Sequence, residues 1–144
     1  MNNLKISLII PVYNGEKYIR ETIESVLSQN YSNIEIIVID GNSTDHTKSI
    51  IESFQDLITI FISENDFGQT DAINKGFSFA TGEIINWLNA DDILLPNALN
   101  IISNEFLRDI ELDILCAKEY SFTHDSKIPY LQHNGSTVFK STEK

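Results

Sequence analysis

The chain has 144 residues, 42% of them hydrophobic and 22% charged, with a formal net charge of −11. This length predicts one domain over residues 1–144 with a core of its own, and the acidic balance excludes a general nucleic-acid binder, which needs a basic face. A lone cysteine, Cys116, excludes a disulfide framework, and no apolar run approaches the length of a membrane span.

Residues 5–12 read as a strand. Ile6, Leu8, Ile9 and Ile10 form a near-continuous apolar run, as in a parallel strand covered on both faces. Pro11 and Asn14 interrupt it too early for a signal peptide, so the expected location is cytoplasmic. Asn14 suits the N-cap of a first helix over about 15–29, with Tyr18, Ile19, Ile23, Val26 and Leu27 on one face. Residues 34–39 form a second buried strand, ended by Asp40. Gly41 and Asn42 allow a sharp turn, after which Ser43 or Thr44 can cap a second helix ending near Phe54. A third strand at 58–63, a polar loop at 64–68 and a third helix at 69–80 follow, with Thr81-Gly82 as the expected glycine C-cap. The fourth strand, 83–88, carries Ile84, Ile85, Trp87 and Leu88 and stops at Asn89-Ala90-Asp91-Asp92. Pro96 opens a fourth helix to about 107, with Leu99, Ile102 and Phe106 inward. A fifth strand at 112–117 places Cys116 in the core. Beyond Glu119 the pattern weakens, with Tyr130-Leu131 and Val138-Phe139 as candidate short strands.

The alternation predicts an α/β three-layer sandwich: a mainly parallel sheet, with helices on both faces. Right-handed crossovers favour an order with strand one central, two and three on one side and four on the other. Strands one and four then flank a topological switch point, and ligands bind there, at the carboxyl ends of the strands. Four polar clusters converge on that crevice, at residues 11–14, 40–43, 64–74 and 89–92.

Two readings compete for Asp91 and Asp92. Adjacent carboxylates at a strand end repel unless a cation or strong hydrogen bonds hold them. They can form an acidic turn before a helix with Pro96 at its first position. They can also supply hard oxygen ligands to Mg²⁺ or Mn²⁺, together with substrate phosphates. Neither a dinucleotide fingerprint nor a P-loop lysine motif can be placed. His46, His124 and His133 lack metal-ligand spacing and read as surface residues. A nucleotide held by a carboxylate and an aromatic remains. Asp40 can accept from a uracil or ribose, Tyr13 can lie against the base, and Asp91 and Asp92 can reach the ribose and a cation at the diphosphate. Lys75 is the nearest candidate cation for a phosphate, and equally a solvated helix residue.

Three segments, SLIIPVYNGEKYIRETIESVLSQNY, IEIIVIDGNSTDHT and ENDFGQTDAINKGFSFATGEIINWLNADD, carry spaced motifs in a fixed order. Over about residues 5–100 the chain resembles the nucleotide-binding half of a family 2 glycosyltransferase of the GT-A fold, the Rossmann-like fold of nucleotide-diphospho-sugar transferases. The resemblance implies an enzyme, an inverting glycosyltransferase assisted by a divalent cation, Mg²⁺ or Mn²⁺. Its donor would be a nucleotide sugar, with a UDP-sugar expected, and its acceptor a saccharide or lipid-linked hydroxyl. Cell-surface polysaccharide or glycolipid synthesis is the implied setting, peripheral to the inner face of the membrane. By the same resemblance Pro11, Tyr13, Asp40, Asp71 and Asn74 contact the nucleotide, and Asp91 and Asp92 form the metal and ribose motif.

The sequence departs from the family pattern in three places. Gly41 stands where a second acidic residue commonly follows Asp40, and Asn89 replaces the first acid of the Asp-X-Asp motif. The catalytic base, an Asp or Glu of the acceptor segment, is expected beyond Lys144, so the domain is expected to stop short of that segment. This raises an alternative, a nucleotide- and metal-binding module without catalysis. A sugar-phosphate nucleotidyltransferase would show a Gly-rich basic loop after the first strand, which is absent; a purely structural α/β domain would use the acidic strand ends as caps. An incomplete sheet would leave its far edge uncovered and prone to homodimer formation.

Overall fold

The computed structural model describes the backbone of residues 3–123 and 126–140 and side chains as far as Cys116; His124 and Asp125, and the side chain of His133, lie outside the described residues. The elements are β1 (Ile6–Val12), α1 (Ile19–Leu27), β2 (Ile34–Asp40), α2 (Thr47–Glu52), β3 (Ile60–Ser63), α3 (Gln69–Phe79), β4 (Ile84–Trp87), α4 (Ala98–Arg108), β5 (Ile114–Thr123) and β6 (Ser126–Lys140). The sheet order is β3-β2-β1-β4-β6-β5. β1 is central and buried along its whole length, as its apolar run predicts. It pairs in parallel with β2 from Ile6↔Ile34 to Val12↔Asp40, and with β4 from Ile6↔Ile84 to Ile9↔Trp87. β3 is parallel to β2. This register brings the ends of β1 and β2 level, so the chain leaves the sheet at Val12 and Asp40 side by side.

Side-chain alternation along the strands divides the core into two faces. Leu8, Ile10 and Val12 pack with Ile36 and Val38 against Ile19, Ile23 and Val26 of α1 and Ile51 of α2. Ile6 and Ile84 continue that face toward Leu99 and Phe106 of α4. On the opposite face Ile9, Ile37 and Ile39 meet Ala72 of α3. The close approach of α3 depends on Gly76, where a Cβ would lie 2.4 Å from Ile9 Cγ2. Helices therefore cover both faces, and the three-layer, mainly parallel architecture expected from the sequence is present.

Several boundaries differ from expectation. Asn14 does not cap α1: it adopts φ 50°, and a turn closed by Tyr18 N–H and Ile19 N–H on Gly15 O, both at 3.0 Å, precedes the helix. α3 ends at Ala80 in an extended conformation, and Gly82, instead of capping the helix, donates its N–H to Ser7 Oγ at 2.7 Å. α4 starts after Asn97, at φ 67°, and not at Pro96.

The larger correction concerns the fifth strand. β5 is antiparallel to β6, and β6 lies between it and β4. Residues 124–125 alone separate the two strands, which permits a hairpin, whereas a parallel pair needs a crossover of about a dozen residues or more. The far side of β4 is closed by Ile84↔Lys140 and Ile85↔Phe139, and β5 is the outer strand of the sheet on that side. Cys116, expected in the core, is exposed. Among the described residues no helix is long and apolar enough to cross a membrane.

Candidate nucleotide cleft

The loops after β1 and β2 are laced together by reciprocal hydrogen bonds. Asn14 N–H donates to Ser43 Oγ at 2.8 Å, and Asn14 Oδ1 accepts from Thr44 N–H at 2.9 Å. Gly15 N–H donates to Thr47 Oγ1 at 2.8 Å, and Glu16 N–H to Asp45 Oδ2 at 3.2 Å. Glu16 Oε2 in turn accepts from His46 N–H at 2.9 Å and lies 2.7 Å from His46 Nδ1. The His46 backbone and ring hold the Glu16 carboxyl below its usual range. At Asp45 burial favours the neutral acid, but hydrogen bonds from Thr47 and from the Glu16 N–H outweigh it and lower the pKa. The polar residues that read as helix caps therefore cap each other's loops and fix one wall of a cleft.

Asp40 lies beneath this wall and is fully buried, at 0% exposure. Its oxygens accept from Ser43 N–H at 3.0 Å, from the Ser43 hydroxyl, and from Ser63 Oγ at 2.6 Å. The carboxylate thus ties the ends of β2 and β3 to the turn at 41–43. Burial without donors would be costly for it, and these bonds supply the donors.

The opposite wall comes from the loop after β3 and the end of β4. Asp66 Oδ1 accepts from Gly68 N–H at 2.9 Å, and Asp71 Oδ2 accepts from Phe67 N–H at 3.1 Å, so two carboxylates shape the approach to α3. Asn42 Nδ2 donates to Asn65 Oδ1 at 3.0 Å and joins this loop to the first wall. Gln69 Nε2 donates to Asn89 Oδ1 at 2.7 Å, and Asn89 Nδ2 to Asp92 Oδ2 at 2.8 Å. Thr22 Oγ1 of α1 donates to Ala90 O at 2.8 Å and anchors the turn that carries Asp91.

Together the walls enclose a cavity of about 960 Å³ at the carboxyl ends of the parallel strands, the size of a ligand site at the position a switch point predicts. Of the residues named from the sequence, Pro11, Tyr13 and Asp91 line it. Tyr13 is 64% exposed and Asp91 is exposed. Asp40, Asp71, Asn74 and Asp92 are not among the residues that line the cavity. Lys75 is paired with Glu64 at 2.8 Å, and that partner raises its pKa. Asp66, Asn65 and Gln69 line it although sequence reading did not single them out, and Asn89, read from the sequence as a departure from the Asp-X-Asp motif, lines it too. The signal available for them was their place in the polar clusters; which of them face the cavity depends on tertiary packing.

The described lining includes no Lys, Arg or His side chain, so a bound diphosphate would need a cation or backbone donors to offset its charge. Among the described residues no group of three or more His, Cys, Asp or Glu side chains is placed to hold an ion. Asp91 in the lining, with Asp92 next to it in the chain, offers the carboxylates that a hard cation would take, one or two from protein, with its shell completed by phosphate oxygens and water. Asn89, in place of a third acid, holds Asp92.

A family model, "Glycosyl transferase family 2", matches residues 7–143. An uncharacterized glycosyltransferase of Rickettsia typhi is 47% identical over 94 residues, which cover 65% of this chain and 29% of the relative. The glycosyltransferase GlyG of Streptococcus pneumoniae is 33% identical over 120 residues, covering 81% of this chain and 40% of that protein. The chain thus spans well under half the length of these relatives. Among solved structures, S. aureus TarS 1–349 in complex with UDP-GlcNAc superposes with a TM-score of 0.72 at 26% identity, over 88% of this chain and 37% of TarS. The mannosyltransferase PcManGT from Pyrobaculum calidifontis, in complex with GDP-Man and Mn²⁺, gives a TM-score of 0.71 at 25% identity, over 83% and 37%.

Proposed function

The chain belongs to glycosyl transferase family 2, and from that premise we propose that its cleft binds the nucleoside diphosphate of a nucleotide sugar for transfer to an acceptor hydroxyl. The observation that carries this reading is the convergence of Pro11, Tyr13, Asp66 and Asp91 on one cavity of about 960 Å³ at the switch point. Tyr13 offers an exposed ring to the base, and Pro11 gives a rigid floor beneath it. Asp91 and Asp92 would hold a divalent cation, Mg²⁺ or Mn²⁺, which when bound would supply positive charge to offset that of the leaving diphosphate. Asp71 and Asn74 act from the first turns of α3, where Asp71 keeps the loop carrying Asp66 in place through Phe67 N–H.

The reaction is a single displacement with inversion. The acceptor oxygen attacks the anomeric carbon as the bond to the diphosphate breaks, and an Asp or Glu of the acceptor segment takes the hydroxyl proton. A saccharide or lipid-linked acceptor at the inner face of the membrane, in cell-surface polysaccharide or glycolipid synthesis, fits this chemistry. The glycosyltransferase relatives, and the UDP-GlcNAc and GDP-Man bound in the solved structures, support the class of reaction.

Calorimetric titration of UDP into the chain, with and without Mn²⁺, tests the reading. Saturable binding that depends on Mn²⁺ and disappears in the variant carrying Asp91→Ala and Asp92→Ala is the expected result. Folded protein that binds none of UDP, GDP or dTDP under either condition would remove the proposal.

A further inference from the structure

We infer that Asp66 selects the base of the donor, by accepting the ring N–H of a uracil with the carboxylate that fills the place of a side chain at Gly41. The inference rests on the donor-site reading above and assigns its specificity to a residue of the loop after β3, not to the carboxylate that ends β2.

Three observations combine. Asp40 is sealed: it is fully buried, and Ser43 and Ser63 engage both its oxygens. To reach a base it would have to surrender hydrogen bonds that hold the turn. Gly41, which follows it, lines the cavity without a side chain, and a Cβ there would lie 2.8 Å from Asp66 Oδ2 and 3.2 Å from Asp66 Cγ. The Asp66 carboxylate therefore occupies the volume that a side chain at residue 41 would need. Its two oxygens are also unequal. Oδ1 accepts from Gly68 N–H at 2.9 Å, which fixes the group, while among the described residues Oδ2 receives no hydrogen-bond donor. The Asn42–Asn65 bond holds the two loops at this spacing.

One open acceptor oxygen defines the complementary edge. Uracil presents a single ring N–H, at N3, between two carbonyls. Guanine presents two adjacent donors, which call for both oxygens of a carboxylate, and cytosine carries a lone pair at N3, which faces a carboxylate unfavourably. A site that leaves a buried polar group unpaired with the wrong ligand discriminates strongly. The donor is thus a uridine diphosphate sugar, with Tyr13 against the ring and Asp66 on its N3 edge.

Asp66→Asn is the informative substitution. Its carbonyl can still accept from Gly68 N–H, while its amide presents a donor to the cavity. In titrations with Mn²⁺, UDP affinity should fall about 10- to 100-fold, the range for losing a hydrogen bond to a charged group. The UDP-to-CDP preference should fall by at least about tenfold, because the amide can donate to cytosine N3. Wild-type chain titrated with N3-methyluridine diphosphate gives a readout independent of any variant's folding: methylation should weaken binding about tenfold or more in the wild type, and much less in Asp66→Asn. Gly41→Ala, which crowds Oδ2, should weaken UDP in the same direction. Equal binding of UDP and its N3-methyl analogue by the wild type, or an unchanged UDP-to-CDP ratio in folded Asp66→Asn, overturns the inference and leaves the donor site standing. A wild-type chain that binds no nucleoside diphosphate removes both.

Discussion

Glu35 is a charged residue inside an apolar strand, and it survives there because four donors meet it. Lys5 Nζ lies 2.8 Å from Oε2, Thr81 donates from both its N–H and its hydroxyl, and the Ser7 hydroxyl donates to Oε1. Burial favours the neutral acid, but the hydrogen bonds from Lys5, Ser7 and Thr81 outweigh it and lower the pKa from 4.5 to about 2. A carboxyl with a depressed folded pKa stabilises the protein above its unfolded pKa, and that contribution is lost as pH falls through the folded value. The shift corresponds to roughly 3 kcal/mol. Glu35→Gln should cost roughly 1–3 kcal/mol near neutral pH, since it loses charge-assisted bonds without leaving a hole. Urea unfolding of both proteins from about pH 7 down to about pH 2 checks this: their difference should shrink between about pH 4.5 and about pH 2. A difference that stays constant with pH would assign the loss to packing. In the sequence Glu35 is one acidic residue in IEIIVID, and nothing local marks it, because its donors come from residues 5, 7 and 81.

Between elements, the loops after β1 and β2 depend on Thr47, which is fully buried at the start of α2. Its hydroxyl accepts from Gly15 N–H at 2.8 Å and donates to Asp45 Oδ1 at 2.5 Å. Thr47→Val keeps the shape and removes both bonds. Destabilisation of about 1–3 kcal/mol is expected from the unpaired Gly15 N–H and the lost hydroxyl bond to Asp45, whose Oδ1 keeps the backbone N–H of residue 47 at 2.9 Å, together with weaker UDP binding, because these loops form one wall of the cleft. Thermal unfolding and calorimetry measure the two effects; a loss of stability with unchanged UDP affinity would separate the loops from the site. This lacing also marks the limit of what sequence reading reveals. The strand order was legible because apolar runs alternate with amphipathic helices and crossovers have one hand. The polar strand ends were legible as a converging site for the same reason. Asn14, Ser43 and Thr44 read as caps of their own helices, since local pattern cannot show that β1 and β2 end level and let each loop cap the other. Similarly, the β5–β6 hairpin has no glycine-centred turn signature, and its place beside β4 is set by pairing distant in sequence. The contact between Asp66 and the space at Gly41 joins positions 25 residues apart, so the sequence offered the polar cluster but not the acceptor.

For the molecule as a whole, the net charge of −11 sets the terms on which it can bind an anion. The protein's field repels a diphosphate, and the cavity adds Asp66 and Asp91 to that field with no described cationic side chain in its lining. On the proposed reading, a divalent cation at Asp91 and Asp92 would bring opposite charge to the phosphates. Salt should act in opposite senses on the two states. Without Mn²⁺ the dominant long-range interaction is repulsion, and shortening the Debye length from about 30 Å at 0.01 M to about 8 Å at 0.15 M should raise UDP affinity. With Mn²⁺ bound, the local attraction between ion and diphosphate is short-ranged, and the same change in salt should leave affinity level or lower it. Titrations at both salt concentrations, with and without Mn²⁺, measure this. A metal-free affinity that falls with added salt would mean that backbone donors or a cationic group outside the described residues bind the phosphates. The acidic carboxylates would then serve to hold the turn after β4, and the ion would lose its part in donor binding.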